Sequence, residues 1–463
     1  MDAFQPSYAC IDGNWVAAPV LTVDAAGRCS GPGAEVPLRL ENRALLPGLV
    51  NVHSHAFQRV LRGRTEFREV GKEADDFWAW RERMYEAATS LTPEQLYVVS
   101  RQAFIEMALA GVTTVGEFHY LHHQPDGTPY DDEALLAKAV VQAARDVGLR
   151  IVLLRALYAR AGFNVPANPR QRRFLDPSVE VALRRVDAVR SAFAHDALVK
   201  VGLAPHSVRA VPFEWLRTLA HAAPDLVIHA HVAEQPAEVR ACLAEYGRRP
   251  VELFADAGLL SSRFTAVHAI HLEPSEVALL GQTRSTICAC PSTERNLGDG
   301  IVRADELMRS GSAVCLGTDS QAHVDLLDEA RQLEGHLRLL RLSRVVLVPK
   351  TTQGPRERAL SRVLMGALTK AGAHALGVPT GDLRAGEPFD AIALDLTHPS
   401  LAGVPEDCLL TALLMSAPSS AVRDVWVQGR QIVKDGRHPL QDESARAYAK
   451  VIRSLVSTEY VRE

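Results

Sequence analysis

No run of apolar residues in this 463-residue chain approaches the ~18 that a membrane-spanning helix needs, so a spanning helix is excluded. The opening segment MDAFQPSYACIDGNWV has no basic stretch followed by an apolar core, and no secretory leader is expected from it. Cysteine is scarce: there are seven, odd in number and scattered. Cys288 and Cys290 in TICACP suit neither a CxxC redox pair nor a zinc knuckle, and they read as small buried strand residues alternating with Ile287 and Ala289. That pattern excludes a disulfide framework and fits a reducing cytoplasm. Excess charge is also missing. A net charge of -4 gives no reason to expect a nucleic-acid or membrane-surface partner. No repeat of fixed period and no low-complexity tract is visible. What remains is an ordinary globular balance, 47% hydrophobic and 23% charged, long enough for one large catalytic domain and a smaller one.

Short apolar runs alternate with longer helical stretches through the middle of the chain. The runs are 45–53, 111–118, 149–157, 198–205, 226–234, 264–272, 285–291 and 312–320. They are β-branched and almost continuously hydrophobic, as strands buried on both faces must be. The clearest helix follows Ser90, with Thr92 as N-cap, Pro93 in the first helical position, Gln95 completing a capping box and Gly111 as the stop. Eight strands separated by helices predict an α/β fold, a (β/α)₈ TIM barrel, over residues 47–380. A doubly wound sheet competes, but it leaves the polar residues at so many strand ends unexplained. Residues 1–46 and 381–463 are rich in turns and short strands, with a hairpin expected near Gln428-Gly429. The two ends are expected to pair into a small β-sandwich, to which the C-terminal part adds a helix.

Two loops are longer than a barrel needs. Residues 59–90 carry Arg62, Arg64, Arg68 and the string FWAWRERMY, and residues 159–177 are rich in Arg and Pro. Loops after strands lie on the catalytic face of such barrels, so both are candidates for a lid or pocket wall; a solvated insertion is the bland alternative for 159–177.

His53 and His55 end the first strand. Their period-2 spacing sends both imidazoles to one face, where they can bind one metal. His231 and Glu234 form HVAE at the end of the fifth strand, a ligand followed by a carboxylate placed to move protons. His229 lies deeper and reads as packed. His268 ends the sixth strand, and His271 falls at the rim or turns away. Asp319, in LGTDS, ends the eighth, and burying that carboxylate demands a partner. Each residue alone has a plain reading, a bonded core His or a helix-capping Asp. HxH, HxxE, His and Asp at four strand ends in this order make chance pairing a poor account.

The pattern resembles the amidohydrolase superfamily over almost the whole chain. For the deaminase-like branch the resemblance implies one divalent metal, Zn²⁺ in first place, on His53, His55, His231 and Asp319, with Glu234, His268 and Asp319 catalytic. Strand four ends GLAPHSV, with His206 where two-metal relatives carry a bridging Lys or Glu, which argues for one ion. Within the branch, HSHAFQR, FWAWRE, GEFHY, GLAPHSVRA, HVAEQ and CPSTERNLGDG are similar to the formimidoylglutamate deiminases, hydrolases of histidine degradation. That resemblance implies substrate binding by Gln58, Arg81, Tyr120, His206 and Arg209, a small dicarboxylate substrate and a homodimer. Arg offers a bidentate fork for a carboxylate, which agrees. A deaminase of another substrate, a catalytically silent barrel and a two-metal amidase are the alternatives.

Overall fold

The computed structural model describes residues 2–31, 36–67, 77–350 and 356–459. Strands β1 (Asp2–Ile11), β2 (Asn14–Ala17), β3 (Leu21–Val23), β4 (Cys29–Ser30) and β5 (Leu38–Pro47) come first. The expected barrel strands follow as β6 (Leu49–Ser54), β7 (Val112–His119), β8 (Arg150–Leu157), β9 (Val199–Pro205), β10 (Ile228–Val232), β11 (Phe264–His268), β12 (Thr286–Ala289) and β13 (Val314–Leu316). Finally β14 (Ala391–Asp395), β15 (Val422–Val427) and β16 (Arg430–Val433) return to the first sheet.

The eight barrel strands are parallel and lie in chain order. Every residue of β7 and β8 is buried, which is why their sequences show no polar alternation. The seam between the last and first strands is closed by polar groups. Asn51 Nδ2 donates to Thr318 Oγ1 at 2.8 Å and Thr318 N–H donates to Asn51 Oδ1 at 3.0 Å. Above them Asp319 N–H donates to His53 O at 2.9 Å and His55 N–H to Asp319 O at 3.2 Å. Gly317 permits this approach, because a Cβ there would stand 2.8 Å from His53 Cβ.

Both chain ends build one mixed sheet in the order β16-β15-β14-β5-β1-β3-β4, with β2 on β1. Residue parity divides its faces. Leu46, Ile392 and Leu394 join the barrel core, whereas Leu45, Ala391, Ala393 and Trp426 form a separate core with Phe4 and Phe389, whose rings stack at 5.2 Å. The expected hairpin joins β15 to β16, and Gln428 and Gly429 both take the left-handed conformation (φ 47° and 76°) that a two-residue turn of this twist needs.

Helix α1 (Phe77–Ser90) lies in the long loop after β6, and α2 (Pro93–Leu109) leads into β7. The capping box is present: Gln95 N–H donates to Thr92 Oγ1 at 3.2 Å and Thr92 N–H to Gln95 Oε1 at 3.0 Å. The C-terminal helix Gln441–Glu459 packs on α2 through Arg101–Glu443 at 2.9 Å, and its Tyr448 holds Arg59, whose Nη1 donates to the phenol oxygen at 2.9 Å. Of the loop arginines, Arg62 pairs with Glu106 at 2.7 Å, and Arg68 lies outside the described residues. Segment 159–177 is partly a fixed wall. Buried Arg173 donates to the carbonyls of His123, Ala88 and Leu91, and Asp176 accepts from Arg155 and Arg185.

Candidate functional site

The four strand-end residues chosen as metal ligands converge. One donor atom each from His53, His55, His231 and Asp319 lies within 4.8 Å of the other three. His53 Nε2 and His55 Nε2 are 3.1 Å apart, and Asp319 Oδ1 is 3.5 Å from the first and 3.3 Å from the second. The outer nitrogens set the tautomers. His55 Nδ1 bonds the Phe118 carbonyl at 3.0 Å and His231 Nδ1 the His206 carbonyl at 3.0 Å. A carbonyl only accepts, so each Nδ1 carries the hydrogen and each Nε2 turns a lone pair inward. Lone pairs converging on a buried carboxylate oxygen suit a cation, and three imidazoles with one carboxylate form a donor set for a divalent transition metal.

The electrostatics agree with this geometry. Burial, with the neighbouring His53 ring, pushes His55 down to about 3, and burial also lowers His53 and His231. These imidazoles are therefore neutral, the form that binds metal. Burial opposes charge on Asp319, but the hydrogen bond offered by His53, with the neighbouring His55 and the cationic His268, holds its carboxyl well below the usual range.

Two further groups face the cluster. His268 Nε2 is 3.6 Å from Glu234 Oε1 and 3.6 Å from Asp319 Oδ2. Burial works against its charge, yet Glu234, Glu294 and Asp319 push it up to about 10, and it is cationic. Burial pushes the Glu234 carboxyl upward against the pull of His268 and Arg209. The backbone there is strained: Ala233, His268, Ala269 and Asp319 all have φ between 49° and 69°. Left-handed residues other than glycine gather where a site demands an otherwise costly direction.

Gln58, Arg81, Tyr120, His206 and Arg209 line one cleft above the cluster, together with His55, His231, Glu234 and Asp319. Gln58 Nε2 donates to the Tyr120 hydroxyl at 3.1 Å. His206 lies against His231 at 4.7 Å between ring centroids, 29° from parallel, outside the four-ligand set. Arg209 is only 5% exposed, and among the described residues its Nε and Nη1 have no hydrogen-bond partner. Arg81 stacks on Trp78 at 4.5 Å, and its buried Nε is likewise unpartnered. His229 is buried and bonded to the Ala375 carbonyl, while His271 turns to the Asp299 carbonyl at 2.9 Å, away from the cluster.

Sequence reasoning passed over several supporting residues. Glu117 on β7 accepts from Ser54 Oγ at 2.7 Å and Ala56 N–H at 2.8 Å, fixing the backbone on both sides of His55, and burial pushes its carboxyl up to about 8. Glu294 lies 3.2 Å from His268 Nδ1 and accepts the Cys290 N–H at 2.8 Å. The available signal was a carboxylate in an otherwise apolar strand, GVTTVGEF, and another directly after a strand in CPSTERN.

Comparison with known proteins agrees with this architecture. Residues 44–432 match the family model described as "Amidohydrolase family". The chain is 40% identical over 417 residues to a formimidoylglutamate deiminase of Pseudomonas aeruginosa, covering 89% of this chain and 90% of that one. An 8-oxoguanine deaminase of the same organism is 30% identical over 398 residues, 85% of this chain and 82% of its own. The crystal structure of an amidohydrolase from Brucella melitensis superposes with a TM-score of 0.89 at 35% identity, covering 98% of this chain and 100% of that one.

Proposed function

The chain belongs to the amidohydrolase family, and from that premise we propose that it hydrolyses N-formimino-L-glutamate to N-formyl-L-glutamate and ammonia. The observation that carries the choice of substrate is the pair Arg81 and Arg209. Two guanidiniums with buried nitrogens that have no partner among the described residues face one cleft over a metal-ligand cluster. A buried guanidinium without an acceptor is costly, and a ligand with two carboxylates supplies one acceptor for each. The relative called formimidoylglutamate deiminase supports the same assignment.

His53, His55, His231 and Asp319 would hold one divalent ion, Zn²⁺ by donor type. When bound, it supplies Lewis acidity that brings the pKa of water toward about 7. Glu234 takes a proton from the attacking water and delivers it to the departing nitrogen; its upward shift suits it to hold that proton in between. The formimino carbon gains the water oxygen and loses ammonia, so an amidine becomes an amide. His268, cationic and 3.6 Å from both Glu234 and Asp319, orients the attacking oxygen and balances charge at the tetrahedral centre. Gln58, Tyr120 and His206 position the rest of the substrate. On this reading the protein is a homodimeric enzyme of histidine degradation in a reducing cytoplasm; all seven of its cysteines are free thiols. No helix among the described residues is long and apolar enough to cross a membrane.

Ammonia release from N-formimino-L-glutamate, with metal content measured on the same sample, tests the proposal. Turnover with close to one equivalent of metal is expected. Silence on this substrate together with turnover of a purine or triazine would move the assignment to another deaminase. Arg209→Met is expected to raise KM by about a hundredfold, the loss of a charge-assisted pair in a buried site. An unchanged KM removes Arg209 from the carboxylate site.

A further inference from the structure

Tyr85 on α1, Tyr158 just beyond β8 and Gln171 in the segment 159–177 meet at the wall of the cleft. The amide of Gln171 has only one way round: its Oε1 accepts the Asn168 N–H at 3.1 Å, so its Nε2 faces the two phenols. That nitrogen donates to Tyr85 Oη at 3.0 Å and to Tyr158 Oη at 2.9 Å, which uses both amide hydrogens. Each phenol still has one hydroxyl hydrogen. The two oxygens are 3.3 Å apart and bond one to the other, and a single contact takes one of those hydrogens. The other has no acceptor among the described residues, although both side chains are only 2% exposed. A buried donor is rarely left unpaired.

Both tyrosines line the same cleft as Arg81 and Arg209, and the Arg81 guanidinium carbon stands 5.5 Å from the Tyr85 ring centroid. Burial holds the Tyr158 phenol well above its ordinary value, so it stays protonated beside the cations. We infer that Tyr85 and Tyr158 are a specificity-determining pair that hands this leftover hydroxyl hydrogen to a carboxylate of the bound substrate. The inference rests on the dicarboxylate reading above. The bond between the phenols makes the donor exchangeable: removing either hydroxyl frees the other to turn toward the ligand.

The test is steady-state kinetics on Tyr85→Phe, Tyr158→Phe and the double variant, with melting temperature and metal content as checks on folding. Each single change leaves one donor and is expected to raise KM less than about threefold. The double change is expected to raise KM about tenfold or more, the range of a hydrogen bond to a charged acceptor, while kcat falls far less because the contact is remote from the reacting carbon. Gln171→Glu gives a second readout that keeps both phenols. Its carboxylate accepts both hydroxyl hydrogens, so KM should rise as in the double variant. A KM within about twofold of wild type in the double variant and in Gln171→Glu overturns the inference while the wild type still turns over the substrate. A wild type silent on formiminoglutamate overturns the substrate reading itself.

Discussion

Glu234→Gln is expected to release ammonia about a thousandfold more slowly than the wild type while keeping its metal, the scale of a lost general acid–base group. Glutamine preserves the shape and removes only the ability to accept and return a proton. The site has a second carboxylate, but Asp319 is held ionised by His53, His55 and His268 and is poorly suited to carry a proton to a leaving group. Glu234 differs because burial raises its carboxyl, so protonation is easier there than at Asp319. Glu294 is no substitute, since it is committed to His268 Nδ1 and the Cys290 N–H. The loss should fall on kcat with KM little changed, because the proton moves during reaction and the substrate carboxylates are held elsewhere. A variant with more than about a tenth of wild-type kcat would remove Glu234 from the proton path.

Removal of the metal with a chelator is expected to abolish turnover and lower the melting temperature, both restored by about one equivalent of Zn²⁺. The activity loss follows from the absence of another electrophile at the cluster. The stability loss has a local cause: without a cation, His53 Nε2 and His55 Nε2 stand 3.1 Å apart beside the Asp319 carboxylate with no shared ion between them. A ligand at about a thousand times its Kd adds about 4 kcal/mol to the folded state, enough to move the transition by several degrees. Undiminished turnover by protein stripped of metal would defeat the hydrolytic scheme.

The barrel was legible because strands buried on both faces leave almost unbroken apolar runs, so the few polar residues at their ends, His53, His55, His231, His268 and Asp319, stood out. The Thr92 cap and the Gln428-Gly429 turn were legible for a different reason, since each is local chemistry. Distant pairings were not. Nothing in the string around Tyr448 indicates that its hydroxyl meets Arg59, nor does the Arg-rich stretch 169–173 reveal that Arg173 is buried among three carbonyls while Arg170 pairs with Glu82 at 51% side-chain exposure. Arg62, in a loop expected to form a lid or pocket wall, pairs with Glu106, a partner its own segment does not reveal. Glu117 and Glu294 escaped because their importance lies in the backbone and ring they hold, which composition does not display.

The barrel seam ties the site to the life of the chain. Asn51 and Thr318, which close the ring, are 267 residues apart, and the ligands stand directly above them on either side of the join. A growing polypeptide that has completed β6 through β12 owns three imidazoles of the set but lacks Asp319, and its cylinder has an open edge. The last strand therefore supplies both the fourth ligand and the closing edge of the cylinder. A chain ending before β13 has neither a closed wall nor the fourth ligand, Asp319.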